Sequence, residues 1–320
     1  MGGETILRIT NRTPRILFWH GVDYIKNSTV EQESLSFHTF VQQINYLKKN
    51  YEIISIDEFY SRYSTKSFNG KEIVLTFDDG YKNNLTVVAP LLKSLSLPFT
   101  VFISTNNVSS VALFPSSIVR LLVFGSQLKK IEASSIGLNA ELKTQEQKNS
   151  VAKKLDQIMT YVTNAQVIRI SEELLSNVTL SNLRELTSTY SSVMPMNWDE
   201  VKRLREYNCT IGSHCLDHFC CHDNQDEHEV LRQISESKQV IENELEIPCN
   251  YFAYPNGNYT DYSNNCVQES GYRLGFSTRK NRILPMGGDS FFIPRIHAPH
   301  EINTFKIFVN LYPIKRMHLN

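Results

Sequence analysis

Two adjacent carboxylates, Asp78 and Asp79, follow the run Glu72-Ile-Val-Leu-Thr-Phe77 and precede Gly80 and Tyr81. The run holds no Pro or Gly and reads as a strand, so the pair sits at a strand's C-terminal end. Active sites of α/β barrels and open parallel sheets form at that end. Adjacent residues there aim in different directions, so one carboxylate can bind a metal while the other faces water. An Asp-Asp-Gly sequence is also an ordinary turn. Further along, His214 and His218 follow a second short strand, Cys209-Thr-Ile-Gly212. Their i, i+4 spacing places both imidazoles on one side of a helical turn, as in other His-x-x-x-His metal sites. A pair of surface histidines has the same spacing. Two imidazole nitrogens and one carboxylate oxygen make a three-ligand site with open positions, as catalytic divalent ions require. Such an ion lowers the pKa of bound water and polarises a carbonyl. A second carboxylate beside it supplies a general base.

These residues need a frame to bring them together. Arg15 to Val22, Tyr51 to Ile56, Glu72 to Phe77 and Pro98 to Ile103 read as strands. Helical spacing separates them: Phe37, Phe40, Val41, Ile44 and Leu47 recur behind a Ser36 cap, and Leu85 to Leu95 is interrupted by Pro90. Alternating strand and helix is the pattern of a parallel α/β sheet or barrel. It breaks between about 109 and 195. There, helical patterns run over Ile118–Val123, Asn149–Val162 and Glu172–Leu186, with one weak strand signal at Lys130-Ile131. Alternation resumes with a helix from Trp198 to Tyr207 capped by Asn197. A long amphipathic helix over Glu227–Leu245 and a helix over Asp261–Ser270 follow, with late strands at Tyr251–Tyr254, Leu274–Ser277 and Phe291–Ile296.

Composition narrows the function. The 33 basic and 33 acidic residues cancel, which argues against a non-specific nucleic-acid binder and gives no support for a polyanionic substrate. With 41% hydrophobic residues the 320-residue chain can bury a large core. Its 17 Phe and 15 Tyr suit strands and an aromatic cleft, although they also fill cores. No run is long and apolar enough to cross a membrane. Glu4, Arg8, Arg12 and Arg15 interrupt any apolar export segment, so a cytoplasmic protein with six reduced cysteines is expected. Cys215, Cys220, Cys221 and His222 are too bunched for a separate structural zinc and read as small residues of a buried loop.

Three motifs carry a resemblance: Leu75-Thr-Phe-Asp-Asp-Gly-Tyr81, Ile211-Gly-Ser-His-Cys-Leu-Asp-His218 and Phe252-Ala-Tyr-Pro-Asn-Gly257. In order and spacing the chain resembles the polysaccharide deacetylases, the NodB-homology carbohydrate esterases. Trp19-His20, Ser237-Lys238, Gly271-Tyr272 and Pro294-Arg-Ile296 agree with it. The likeness covers roughly 15–108 and 195–310. It implies a deformed (β/α)7 TIM-like barrel and a divalent metal, most often Zn2+, with Co2+ or another ion as an alternative. It implies Asp79, His214 and His218 as metal ligands and Asp78 as general base, with a metal-bound water attacking an N-acetyl group. An oxyanion donor is implied near Asn256. Tyr81, Tyr254, Pro255 and Asn256 are the expected substrate contacts. The substrate class is an N-acetylated carbohydrate, in a surface polysaccharide or its precursor.

The chain departs from the family pattern in places. Cys215 replaces the usual Ser or Thr after the first metal His. Ala253 stands where an Arg usually holds the base, and Arg295 is the candidate to supply that guanidinium. The family's late acid His has no clear counterpart, so His297 and His20 are both candidates. A family barrel needs about 200 to 230 residues, which leaves a surplus of roughly 90. That surplus is expected as a helical insertion at 109–194, between barrel halves 1–108 and 195–320. Entered from a strand's C-terminal end, it is expected to be a lid or wall of the substrate cleft. Two rival readings are hydrolysis of another non-peptide C–N bond and a weakly catalytic carbohydrate-binding domain. The oligomeric state is open.

Overall fold

The computed structural model describes residues 13–24, 29–30, 32, 34–278 and 289–311. The N-terminal residues Glu4, Arg8 and Arg12 lie outside them. Seven barrel strands run through the described residues: β1 (Arg15–Trp19), β2 (Glu72–Phe77), β3 (Phe99–Ile103), β4 (Cys209–Ser213), β5 (Tyr251–Ala253), β6 (Leu274–Ser277) and β7. The last is broken into Ile293–Pro294 and Ile296–His297 by Arg295. Its first piece pairs with β6 and its second with β1. Each strand lies parallel to its successor, so the sheet returns on itself as a nearly closed, deformed (β/α)7 TIM-like barrel.

A parallel sheet covered on both faces needs continuous apolar strands. Every residue of β1, β2 and β3 is buried. The period-2 alternation then sorts them. Ile16, Val74, Phe102, Tyr251, Leu274, Phe276 and Ile293 form one cluster, the barrel interior. Their neighbours Leu17, Leu75, Val101, Ile211 and Phe252 join a second cluster with the surrounding helices. That shell includes Phe37–Asn50, capped as expected by Ser36 Oγ accepting from Thr39 N at 3.3 Å. It also includes Trp198–Leu204, held by an Asn197–Glu200 capping box, and Glu227–Leu245.

The stretch 109–194 has its own apolar cluster, with Val119, Leu122, Ile131, Leu155, Ile170 and Leu174 at its centre. Its helices are Pro115–Arg120, Gln145–Tyr161, Asn164–Leu175 and Leu180–Thr189. The continuous helix expected over Glu172–Leu186 is two helices. Thr179 ends the first segment's reach by capping the second, accepting from Asn182 N at 3.2 Å. The weak signal at Lys130-Ile131 is one arm of an antiparallel hairpin, Lys130–Ala133 with Leu138–Glu141, turned by Gly137 at φ 60°.

Gly212 in β4 sits at a tightly packed point of the barrel wall. A Cβ there would meet the Phe102 ring at 2.5 Å and the Tyr251 carbonyl oxygen at 2.9 Å. Backbone on one side leaves no flexible group to yield. Gly212→Ala should therefore lower stability by about 1–3 kcal/mol, read as a drop in the urea midpoint. An unchanged midpoint would contradict this packing.

Candidate active site

Asp78 and Asp79 leave the C-terminal end of β2 in opposite directions. Asp78 continues the alternation of Val74 and Thr76 and points into the barrel, where it is 3% exposed. Arg295 meets it there with two parallel bonds, Nη1 to Oδ1 at 2.7 Å and Nη2 to Oδ2 at 2.6 Å. The guanidinium also donates to Thr76 Oγ1 at 3.2 Å and lies between the Phe18 and Phe102 rings, 4.8 and 5.3 Å from their centroids. Arg295 is the residue that the sequence offers for the guanidinium absent at Ala253. Burial alone would raise the Asp78 pKa, but Arg295 and the nearby imidazoles of His214 and His20 outweigh it. The carboxyl is held below its usual range.

Asp79 turns the other way because its backbone is left-handed, φ 72°, as is that of Gly80. Its Oδ1 faces His218 Nε2 at 3.3 Å and His214 Nε2 at 3.6 Å. The spacing of the two histidines does not come from a helical turn. Residues 214–218 form an irregular loop with Cys215 at φ 65° and His218 at φ 54°. The reason is anchoring from several sides. His214 N donates to Ile103 O at 2.8 Å, and Ser104 Oγ donates to His214 O at 2.9 Å. From the long helix, fully buried Gln233 accepts the N–H groups of Leu216 and Asp217, both at 3.1 Å, and donates to Asp217 at 2.6 Å.

The three acceptor atoms of Asp79, His214 and His218 lie within 4.8 Å of one another. Burial pushes the His214 imidazole down to about 4, so it is neutral at ordinary pH. Its Nδ1 is 2.7 Å from the Ala253 carbonyl oxygen, which accepts the ring's one N–H. The Nε2 lone pair is then aimed at the cluster, as in metal-binding histidines oriented by a carbonyl. Burial opposes ionisation of Asp79 as well, yet the flanking His218 and the other imidazoles keep its carboxyl far below the usual range. Asp79 Oδ1 is buried without a satisfactory hydrogen bond. With both Nε2 atoms unprotonated, all three groups are acceptors, and a cation among them would relieve their mutual repulsion. A tetrahedral ion with ligands at about 2.1 Å separates its donors by about 3.4 Å, close to the distances found. The residues therefore fit a divalent cation.

A cavity of about 270 Å³ opens over this cluster. His20, Asp79, His218, Cys220 and Asn256 line it from the barrel loops. Arg120, Asp156, Met159, Thr160 and Asn164 line it from the 109–194 stretch, and reasoning from motifs alone missed these. Of the expected substrate contacts, only Asn256 reaches the cavity. It too is left-handed, φ 53°, and donates to Cys220 Sγ at 3.0 Å. Pro255 is buried. Tyr254 is 0% exposed and packs on Phe252 and Tyr259. Tyr81 is 3% exposed, with its ring against Phe114, whose own ring lies edge-on to His218. Both tyrosines support the site from beneath. His297 is exposed and does not line the cavity among the described residues; its ring is 6.1 Å from that of His20. Cys215 points away to Phe219 O at 3.7 Å, and all six cysteines are free.

A barrel with a carboxylate and two imidazoles converging beside a guanidinium-held carboxylate, at the C-terminal strand ends, defines an enzyme-like class of site. The polysaccharide deacetylase family profile matches residues 65–140 and 147–275. The chain belongs to that family, whose members hydrolyse amide bonds of N-acetylated polysaccharides. The match takes in most of 109–194, which the three motifs leave out, and stops short of Arg295. Comparison with curated proteins gives no match. Among solved structures, the Streptococcus pyogenes deacetylase PplD, solved in complex with acetate, shares 15% identity at a TM-score of 0.58, covering 91% of this chain and 96% of its own. IcaB from Ammonifex degensii shares 16% at 0.58, covering 93% and 95%. A de-N-acetylase from Aggregatibacter actinomycetemcomitans shares 15% at 0.54, covering 91% and 98%. No helix of the described residues is long and apolar enough to cross a membrane.

Two outcomes follow from the electrostatics. His214 titrates near 4 when folded and near 6.5 when unfolded. Between those values the unfolded chain takes up a proton that the folded one refuses, so stability falls as pH drops from about 6.5 to about 4. Thermal unfolding of chelator-treated protein should show that slope, and His214→Gln should flatten it. Arg295→Ala leaves Asp78 buried and unpaired, so it should lower stability by about 3–5 kcal/mol. Denaturant titration of the folded variant reads this directly.

Proposed function

We propose that the chain is a divalent-metal-dependent deacetylase. It removes the N-acetyl group from an amino sugar of a polysaccharide, such as a surface polysaccharide, or of its precursor. The observation that carries this is the buried cluster of Asp79, His214 and His218 beside the Asp78–Arg295 pair. Those three residues would hold the ion, and two imidazoles with one carboxylate are a donor set used for zinc, with cobalt or another divalent ion as alternatives. When bound, the ion supplies Lewis acidity and makes water acidic enough to act as a nucleophile near neutral pH.

The protein's own groups account for the remainder. Asp78 is the general base. Arg295 keeps it ionised and fixes its orientation, while each of its oxygens retains a second lone pair for a water proton. The backbone N–H at Asn256 donates to the developing oxyanion in this reading, which its left-handed turn at the cavity edge supports. His20 lines the cavity and is the better-placed acid for the leaving amine; His297 stands behind it. The stretch 109–194 is a subdomain that shapes the substrate cleft, since its helices supply cavity-lining residues. The Streptococcus pyogenes relative was solved with acetate, the acid that this reaction would release.

The test is acetate release from N-acetylglucosamine oligomers and other acetamido sugars, free, nucleotide-linked and polymeric, with metal content measured in parallel. Wild-type protein should release acetate and carry about one divalent ion per chain. Asp78→Asn should lose at least about a hundredfold in rate while keeping the ion. Arg295→Ala should lose activity and shift the acid limb of its pH profile upward, because the Asp78 pKa rises without its partner. Activity within a factor of two of wild type would exclude that role for Arg295. Bound metal without acetate from any amino sugar would favour another C–N bond as target. Absence of metal would favour a carbohydrate-binding module.

A further inference from the structure

A second space adjoins the site. A groove of about 520 Å³ runs between the short helix Thr105–Ser110 with the turn that follows it, the helix Asn164–Leu175 and the helix Leu180–Thr189. Pro115, Asn164, Val167 and Asp217 line both this groove and the cavity over the metal cluster. The two spaces therefore share a wall. Among the described residues, eleven of the groove's twenty lining residues are apolar, among them Ile118, Ile168, Leu175, Leu180 and Leu183, and none of the twenty bears an aromatic ring. The described lining therefore offers no stacking platform for a sugar ring. Ile168 and Leu180 are 47% and 75% exposed, so the groove presents branched aliphatic side chains directly to water. Covering such surface is favourable in proportion to its area.

We propose that this groove takes an aliphatic chain carried by the substrate, so that the substrate class is a lipid-linked acetamido sugar. The sugar occupies the metal cavity and the chain lies along Ile168, Leu180 and Leu183. This rests on the deacetylase reading above. The four shared lining residues carry the choice of occupant: a substrate whose sugar sits in the metal cavity has this groove directly beside it for an attached chain, whereas a second copy of the chain has no need of the metal cavity. The aliphatic, ring-free lining sets the chemistry of the chain.

The experiment compares methyl and dodecyl β-glycosides of N-acetylglucosamine, the latter below its micelle-forming concentration. Acetate release and calorimetric binding are both measured. The dodecyl glycoside should bind, and turn over in kcat/KM, about tenfold or more better than the methyl glycoside. The double variant Ile168→Glu, Leu180→Glu changes two exposed side chains, so the fold is preserved. It should bring that ratio close to one while leaving methyl glycoside turnover within about twofold of wild type. Equal binding of the two glycosides by wild-type protein would overturn the proposal, as would a preference that survives in the double variant. Wild-type self-association that the double variant abolishes, with the glycoside ratio unchanged, would make the groove a contact between copies and overturn it too. No acetate from either glycoside would count against the deacetylase reading, and the binding ratio would still decide the groove.

Discussion

The Asp78 carboxylate can lie inside the barrel only because the Arg295 guanidinium lies there with it. Either charge alone in that interior costs several kcal/mol. Paired by two short bonds and flanked by the Phe18 and Phe102 rings, they make a compact neutral unit within an apolar cylinder. The pair also solves a problem in the adjacent residue. Two ionised carboxylates side by side on one chain repel each other. Here each has its own positive or polarising neighbour, Arg295 for Asp78 and the imidazole pair for Asp79. The strand alternation and the left-handed twist at Asp79 keep the two environments apart.

Strain collects where this separation is made. Asp79, Cys215, His218 and Asn256 are left-handed residues other than glycine, and each belongs to a loop at the site. Such conformations persist only where surrounding contacts over-determine them. The loop after β4 has that support: Ile103 and Ser104 hold it from one strand end, Ala253 from another, and Gln233 from the long helix. The imidazole positions are a product of three separate elements meeting. That explains why a fixed-geometry helix was not needed to bring His214 and His218 together.

Much of this was legible from the chain itself. Apolar runs ended by acidic or histidine-bearing turns marked the strand ends, and the three motifs pointed to the barrel. Arg295 could be tied to Asp78 from a vacancy at Ala253 and a lone arginine in a late strand. Other features depend on contacts that spacing cannot encode. The His214–His218 turn is non-helical because distant carbonyls and Gln233 bind its backbone. Tyr81 and Tyr254 carry motif positions but are drawn into packing beneath the site. Gln233 had a faint signal, as a polar residue within the buried Val230, Ile234, Ile241 stripe of its helix. Arg120 and Asp156 had none, since the local pattern of an amphipathic helix does not say which barrel loop it will face. The split at Thr179 was readable as a cap, but continuous apolar spacing on both sides masked it.

The break in β7 carries a consequence for how the chain comes into being. Asp78 is synthesised first, and its counter-charge follows more than two hundred residues later, at the break in the strand that also joins β6 to β1. Until that strand arrives, the nascent barrel is an open sheet with a charge on its inner face and two unpaired edges. Sealing the cylinder and neutralising its interior are thus a single event. A chain that stops before this strand would leave the Asp78 charge unpaired on its inner face and two sheet edges open.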